Sequence, residues 1–116
     1  MSADGIDRTA LERLQALGGQ DFVAEMLDLA LGNIADQLSA GRKAASQDDA
    51  KGVAVALHSI AGSAGNIGAV ELEELARQGL ARDASEAVNL TDELKSLQVA
   101  FQRVRPLLLE AQSGRE

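Results

Sequence analysis

Among the 116 residues of the chain there is a single histidine, His58, and it stands in the segment LHSIAGSAGNIGA. Imidazole titrates near neutral pH without help and is a competent nucleophile, so its neighbours decide whether it can meet a bulky partner. On a helical wheel at about 100° per residue, His58 falls roughly 130° from the centre of the apolar stripe formed by Val53, Leu57, Ile60 and Ala64, so it points outward or along the flank. Lys51, Ala54, Ala61, Gly62 and Gly65 share its side, and all but the lysine carry little or no side chain. Glycine inside a helix costs about 0.5 to 1 kcal/mol relative to alanine, so Gly62 gives up local stability for space beside the ring. The same glycines would equally serve the close approach of a neighbouring helix, with His58 an ordinary exposed side chain.

Other chemistries are poorly supplied. The absence of cysteine removes disulfides, thiolate catalysis and most structural zinc sites, and one histidine is too few for a conventional transition-metal site. A net charge of −7 with a pI near 4.6 opposes nucleic-acid binding, and Phe22 and Phe101, the only aromatic residues, make no base-stacking platform. GSAGNIG lacks the lysine that a phosphate-binding nucleotide loop requires. No apolar run is long enough to cross a bilayer, and MSADGIDRT lacks the features of a secretory signal, so a cytoplasmic location is expected. The indicated partner is a protein, with no nucleic acid, membrane, metal or cofactor, and the chain is expected to be a monomer. Met1 and the short flanks point to a free-standing protein.

The elements that must position His58 read as all-α: amphipathic stretches rich in alanine and leucine, with no alternating β-branched runs. A short first helix starts after Asp7 or Thr9, carries Ala10, Leu11, Leu14 and Leu17, and stops at Gly18-Gly19. A longer helix capped by Asp21 runs through Phe22, Met26, Ala30, Ile34 and Leu38 and ends near Gly41. The histidine helix starts between Ser46 and Asp49 and stops around Gly65 and Gly68. A fourth helix holds Val70, Leu72, Leu75, Ala76 and Leu80 and gives way to a loop at Asp83 to Ser85. The last, capped by Thr91, carries Leu94, Leu97, Phe101, Val104 and Leu108, with a kink or an end expected near Pro106. The expected architecture is one domain over residues 1–116, an antiparallel four-helix bundle with an additional short N-terminal helix across one end, and flexible ends near 1–6 and 112–116.

The segment His58, Ser59, Ile60, Ala61, Gly62, followed by Gly68, Ala69 and Leu72, resembles the phosphoacceptor motif of histidine-containing phosphotransfer (HPt) domains, approximately HxxKGxxxxxGA. The helix with Leu11 and Leu14, the Gly-Gly-Gln-Asp turn, Phe22, Met26 and Asp48-Asp49 extend the likeness over nearly the whole chain. The resemblance implies a cytoplasmic phosphocarrier of a two-component phosphorelay, without autonomous kinase activity. It would accept a phosphoryl group on Nε2 of His58 from a receiver-domain aspartate and pass it to another. Gly62 would admit the receiver, and magnesium would sit on that partner. The partners implied are receiver domains of response regulators or hybrid histidine kinases.

Ala61 departs from the pattern, because the family usually carries lysine or arginine there, beside the developing phosphoryl charge. Lys51, Arg77 or Arg82 are the cations that could stand in, and Ser59, Ser63 and Asn66 could supply hydrogen bonds. Gln78 could orient the imidazole by accepting from its Nδ1 proton. Two rivals remain: a degenerate bundle of the same kind that binds receivers without carrying phosphate, and an unrelated helical interaction domain in which His58 is incidental.

Overall fold

A computed structural model describes residues 4–81 and 90–112, and the elements found among them are all α-helices. Helix α1 spans Arg8–Ser46 and starts where the Asp7 carboxylate accepts from the Thr9 amide at 3.0 Å, satisfying one of the donors that a helix N-terminus leaves over. Within it Gly19 alone is non-helical, at φ 80 and ψ −173. A straight helix of 39 residues would run about 58 Å at 1.5 Å per residue. The longest dimension of the molecule is 44 Å, so α1 bends, and Gly19 is where its backbone allows it. The separate short N-terminal helix expected from the sequence is therefore not shown; residues 8–18 are the first limb of α1. The second limb begins directly after Gly19, so Asp21 stands in its first turn rather than before it.

Gly41 was expected as an end, and α1 instead continues through it to Ser46. The glycine marks a crossing: a Cβ there would sit 3.0 Å from Leu94 Cδ2 and 3.3 Å from Ala56 Cβ, so α2 and α4 both pack onto this turn. Helix α2 spans Ala50–Asn66 and is capped by Asp49, which accepts from the Gly52 amide at 2.9 Å. Helix α3 is Val70–Ala81 and helix α4 is Leu90–Gln112. The loop expected at Asp83 to Ser85, and Arg82 with it, lies outside the described residues. Thr91, expected as a cap, is the second residue of α4. The helix does not end at Pro106. This residue is exposed, as is Gln102 one turn before it, so the carbonyl deprived of an amide donor can turn to water.

The helices pack antiparallel in chain order. Along α1 and α2 the neighbours are Ala44 with Gly52, Gly41 with Ala56, and Asn33 with Ser59 and Ser63. Along α2 and α3 they are Leu57 with Gly79 and Gly65 with Glu73. Helix α4 closes the bundle through Leu94 on Gly41, Glu93 on Gly79 and an ion pair of Arg103 with Glu71. Leu27, Ile34, Leu57, Ile60, Leu72, Leu97 and Leu108 fill the interior, each fully buried side chain contributing about 1.5 to 3 kcal/mol.

The turn between α2 and α3 anchors the chain's beginning. Asp7 donates its amide to the Gly68 carbonyl at 2.7 Å, and Gly68 has φ 76 with no room for a side chain, since a Cβ would collide with the Asp7 carbonyl. Gly5 and Ile6 are buried here.

Candidate functional site

His58 is exposed near the middle of α2. A Cβ placed on Gly62, one turn later, would meet nothing within 4 Å, so the glycine is not there to let another helix approach. Lys51 and Ala54 are exposed on the same side, and Val55 beside them shows 62% of its surface. The result is an open strip along α2 in which an imidazole is the tallest feature over its own turn.

Two residues expected on that strip are less open than the rest. Ala61 is 1% exposed and belongs to the core. It lies in the row Leu57, Ala61, Gly65, at intervals of four, whose first and last members both touch α3; the wheel therefore turns Ala61 under that helix rather than toward solvent. Gly65 is half-buried, and the position of its missing Cβ is 3.0 Å from Glu73 Oε2, so the α3 carboxylate rests against the glycine.

Each flank of the strip carries a polar group. On the α1 side, Asn33 donates from Nδ2 to Ser59 Oγ at 3.0 Å and to Ser63 Oγ at 2.7 Å. Both expected hydrogen-bonding serines are thus gathered by a residue the sequence reading does not name. Asn33 has no motif around it, and only the antiparallel register of α1 and α2 brings it there. On the α3 side, Arg77 donates from Nε at 3.1 Å and from Nη2 at 2.8 Å to Glu73 Oε2. This pair is exposed, and such pairs one turn apart contribute only about 0.3 to 0.5 kcal/mol.

Gln78 is exposed on α3 and makes no hydrogen bond to His58 among the described residues; the wheel puts it on the side of α3 opposite the buried Ala76. Asn66 is exposed at the end of α2. Among the described residues no cluster of three or more histidine, aspartate or glutamate side chains could hold a metal ion, and no helix is long and apolar enough to cross a membrane.

The model of the Hpt domain family matches residues 25–106, from the second limb of α1 to Pro106 in α4. Among solved structures, the crystal structure of histidine-containing phosphotransfer protein B (HptB) from Pseudomonas aeruginosa PAO1 is similar with a TM-score of 0.86 and 21% identity, covering 99% of this chain and 100% of that one. At that identity the likeness is one of fold. A search of curated proteins finds no match.

Proposed function

The chain belongs to the Hpt domain family, and from that premise we propose that it is a phosphocarrier that relays a phosphoryl group between receiver-domain aspartates through His58. The observation that carries this reading is the exposed imidazole beside the open space over Gly62. Transfer of a phosphoryl group passes through a loose transition state, so the carrier has little to do beyond presenting a nucleophile in line and letting the donor close over it. The nucleophile is the Nε2 lone pair of the His58 imidazole. The P–N bond forms as the P–O bond to the receiver aspartate breaks and that carboxylate leaves; the reverse step loads the next receiver. The magnesium ion belongs to the receiver, and the carrier requires no ATP of its own.

The test is incubation with phosphorylated receiver domains. Acid-labile, alkali-stable label should appear on the wild type and not on His58→Gln, and equal labelling of the two would sink the proposal.

A second reading, a receiver-binding bundle that carries no phosphate, draws on one observation: Ala61 is small and buried where the family pattern has a cation. Under it, receivers bind the wild type but leave no label on it.

A further inference from the structure

The developing phosphoryl charge calls for a cation, and position 61 provides none. This inference rests on the phosphocarrier reading and asks which side chain answers that need. Arg103 is engaged with Glu71, and Arg8 pairs with Asp4 at 2.8 Å. Lys51 is on the right side of α2 but two turns before His58, about 11 Å along the axis. Arg77 is placed differently. The contacts Leu57 with Gly79 and Gly65 with Glu73 set the register of α3 along α2, and by that register Arg77 stands across from the turn from His58 to Ala61. Its partner Glu73 rests on Gly65, which shares the side of His58 on the α2 wheel, so the pair borders the strip on which the histidine stands.

We propose that Arg77 is the cation that meets the phosphoryl group on His58, exchanging Glu73 for phosphoryl oxygens when the histidine is loaded. The physical argument is a competition between anions. In the unloaded protein the guanidinium binds one monoanionic carboxylate oxygen, at a position where 61% of the arginine side chain is exposed and water screens the pair. A phosphoryl group brings nearly twice the charge and three acceptor oxygens, to which a guanidinium fork is well matched. The exchange forms and breaks hydrogen bonds only. Glu73 would hold Arg77 at the rim before loading. Ala61 is then intelligible: the family's cation is moved from α2 to α3, and the vacated position packs into the core.

The test loads His58 chemically with phosphoramidate and follows the ³¹P resonance of the phosphohistidine through a pH titration. A neighbouring guanidinium favours the dianion and lowers the midpoint of the last protonation. Arg77→Ala should therefore raise that midpoint by about half a pH unit or more, Arg77→Lys should restore part of the difference, and Glu73→Gln should lower it. Transfer from a phosphorylated receiver should slow roughly tenfold in Arg77→Ala. An unchanged midpoint in Arg77→Ala, or a larger rise in Lys51→Ala than in Arg77→Ala, overturns the assignment. Because phosphoramidate needs no receiver, a wild type that takes no label from any receiver speaks against the phosphocarrier reading while the titration still judges Arg77.

Discussion

Asn33 donates to Ser63 Oγ at 2.7 Å across the interface of α1 and α2, one residue beyond the glycine that opens the space beside His58. With the second bond to Ser59 Oγ at 3.0 Å, one amide group ties two turns of the histidine helix to α1. Among the described residues no such hydrogen bond joins α2 to α3 on the other flank, where Glu73 rests on Gly65 and its partner Arg77 is exposed. The histidine helix is thus clasped on one side and bordered by an exchangeable ion pair on the other.

Asn33→Ala removes both bonds and should destabilise the protein by about 1 to 2 kcal/mol, at about 1 kcal/mol per hydrogen bond. A double-mutant cycle with Ser63→Ala in urea denaturation should return a coupling of about 0.5 to 1 kcal/mol. Additive effects would show that the clasp is incidental to stability.

Gly62 separates stability from function. Its Cβ position is open, so Gly62→Ala should raise stability by about 0.5 to 1 kcal/mol through helix propensity alone. Gly62→Leu should fold as well, because its side chain enters solvent. Both should slow transfer from receivers, leucine more severely. A leucine variant that accepts phosphate at the wild-type rate would remove the access role assigned to Gly62.

Two glycines of positive φ should respond unequally to alanine. Gly19, at φ 80 and ψ −173 with nothing within 4 Å of a Cβ, should lose about 1 to 3 kcal/mol, the strain of a backbone region that side-chain-bearing residues essentially never adopt. Gly68, at φ 76, adds a collision with the Asp7 carbonyl and should lose clearly more, with detachment of the N-terminal segment. Thermal unfolding of the two variants side by side measures the difference, and equal losses would contradict the packing of Asp7 on the α2–α3 turn.

Ala61→Lys tests what burial means at the position of the missing cation. A lysine stem forced between α2 and α3 should destabilise by about 1 to 3 kcal/mol, as overpacking of a filled core does. Denaturant midpoints check it. A fully stable Ala61→Lys protein would show that the site opens to solvent more readily than its 1% exposure allows.

The bundle was legible because its signals are local. Apolar residues at intervals of three and four mark each stripe, and Asp49 caps α2 within the span Ser46 to Asp49 where a start was expected. The misreadings share one cause. Gly41 looks like a stop and is a crossing, and Pro106 looks like a possible end and sits inside α4 on an exposed face, whereas at Gly18-Gly19 the helical geometry does break, at the kink on Gly19. Glycine and proline report what the backbone is permitted to do; whether a neighbour occupies the vacated space depends on residues far along the chain.

The sequence by itself determined the all-helical class and put His58 outward or along the flank of its helix, both of which follow from periodicity; that the space over Gly62 is open, and not filled by a neighbouring helix, belongs to the tertiary structure. The tertiary structure alone decided that Ala61 turns under α3, that Asn33 gathers Ser59 and Ser63, and that the Glu73–Arg77 pair borders the strip. A wheel assigns a direction to every side chain of a helix but does not say how wide the neighbouring helices are or where along it they cross. Those are set by the antiparallel register, which depends on contacts between residues far apart in the chain, such as Gly41 with Ala56 and Asn33 with Ser63.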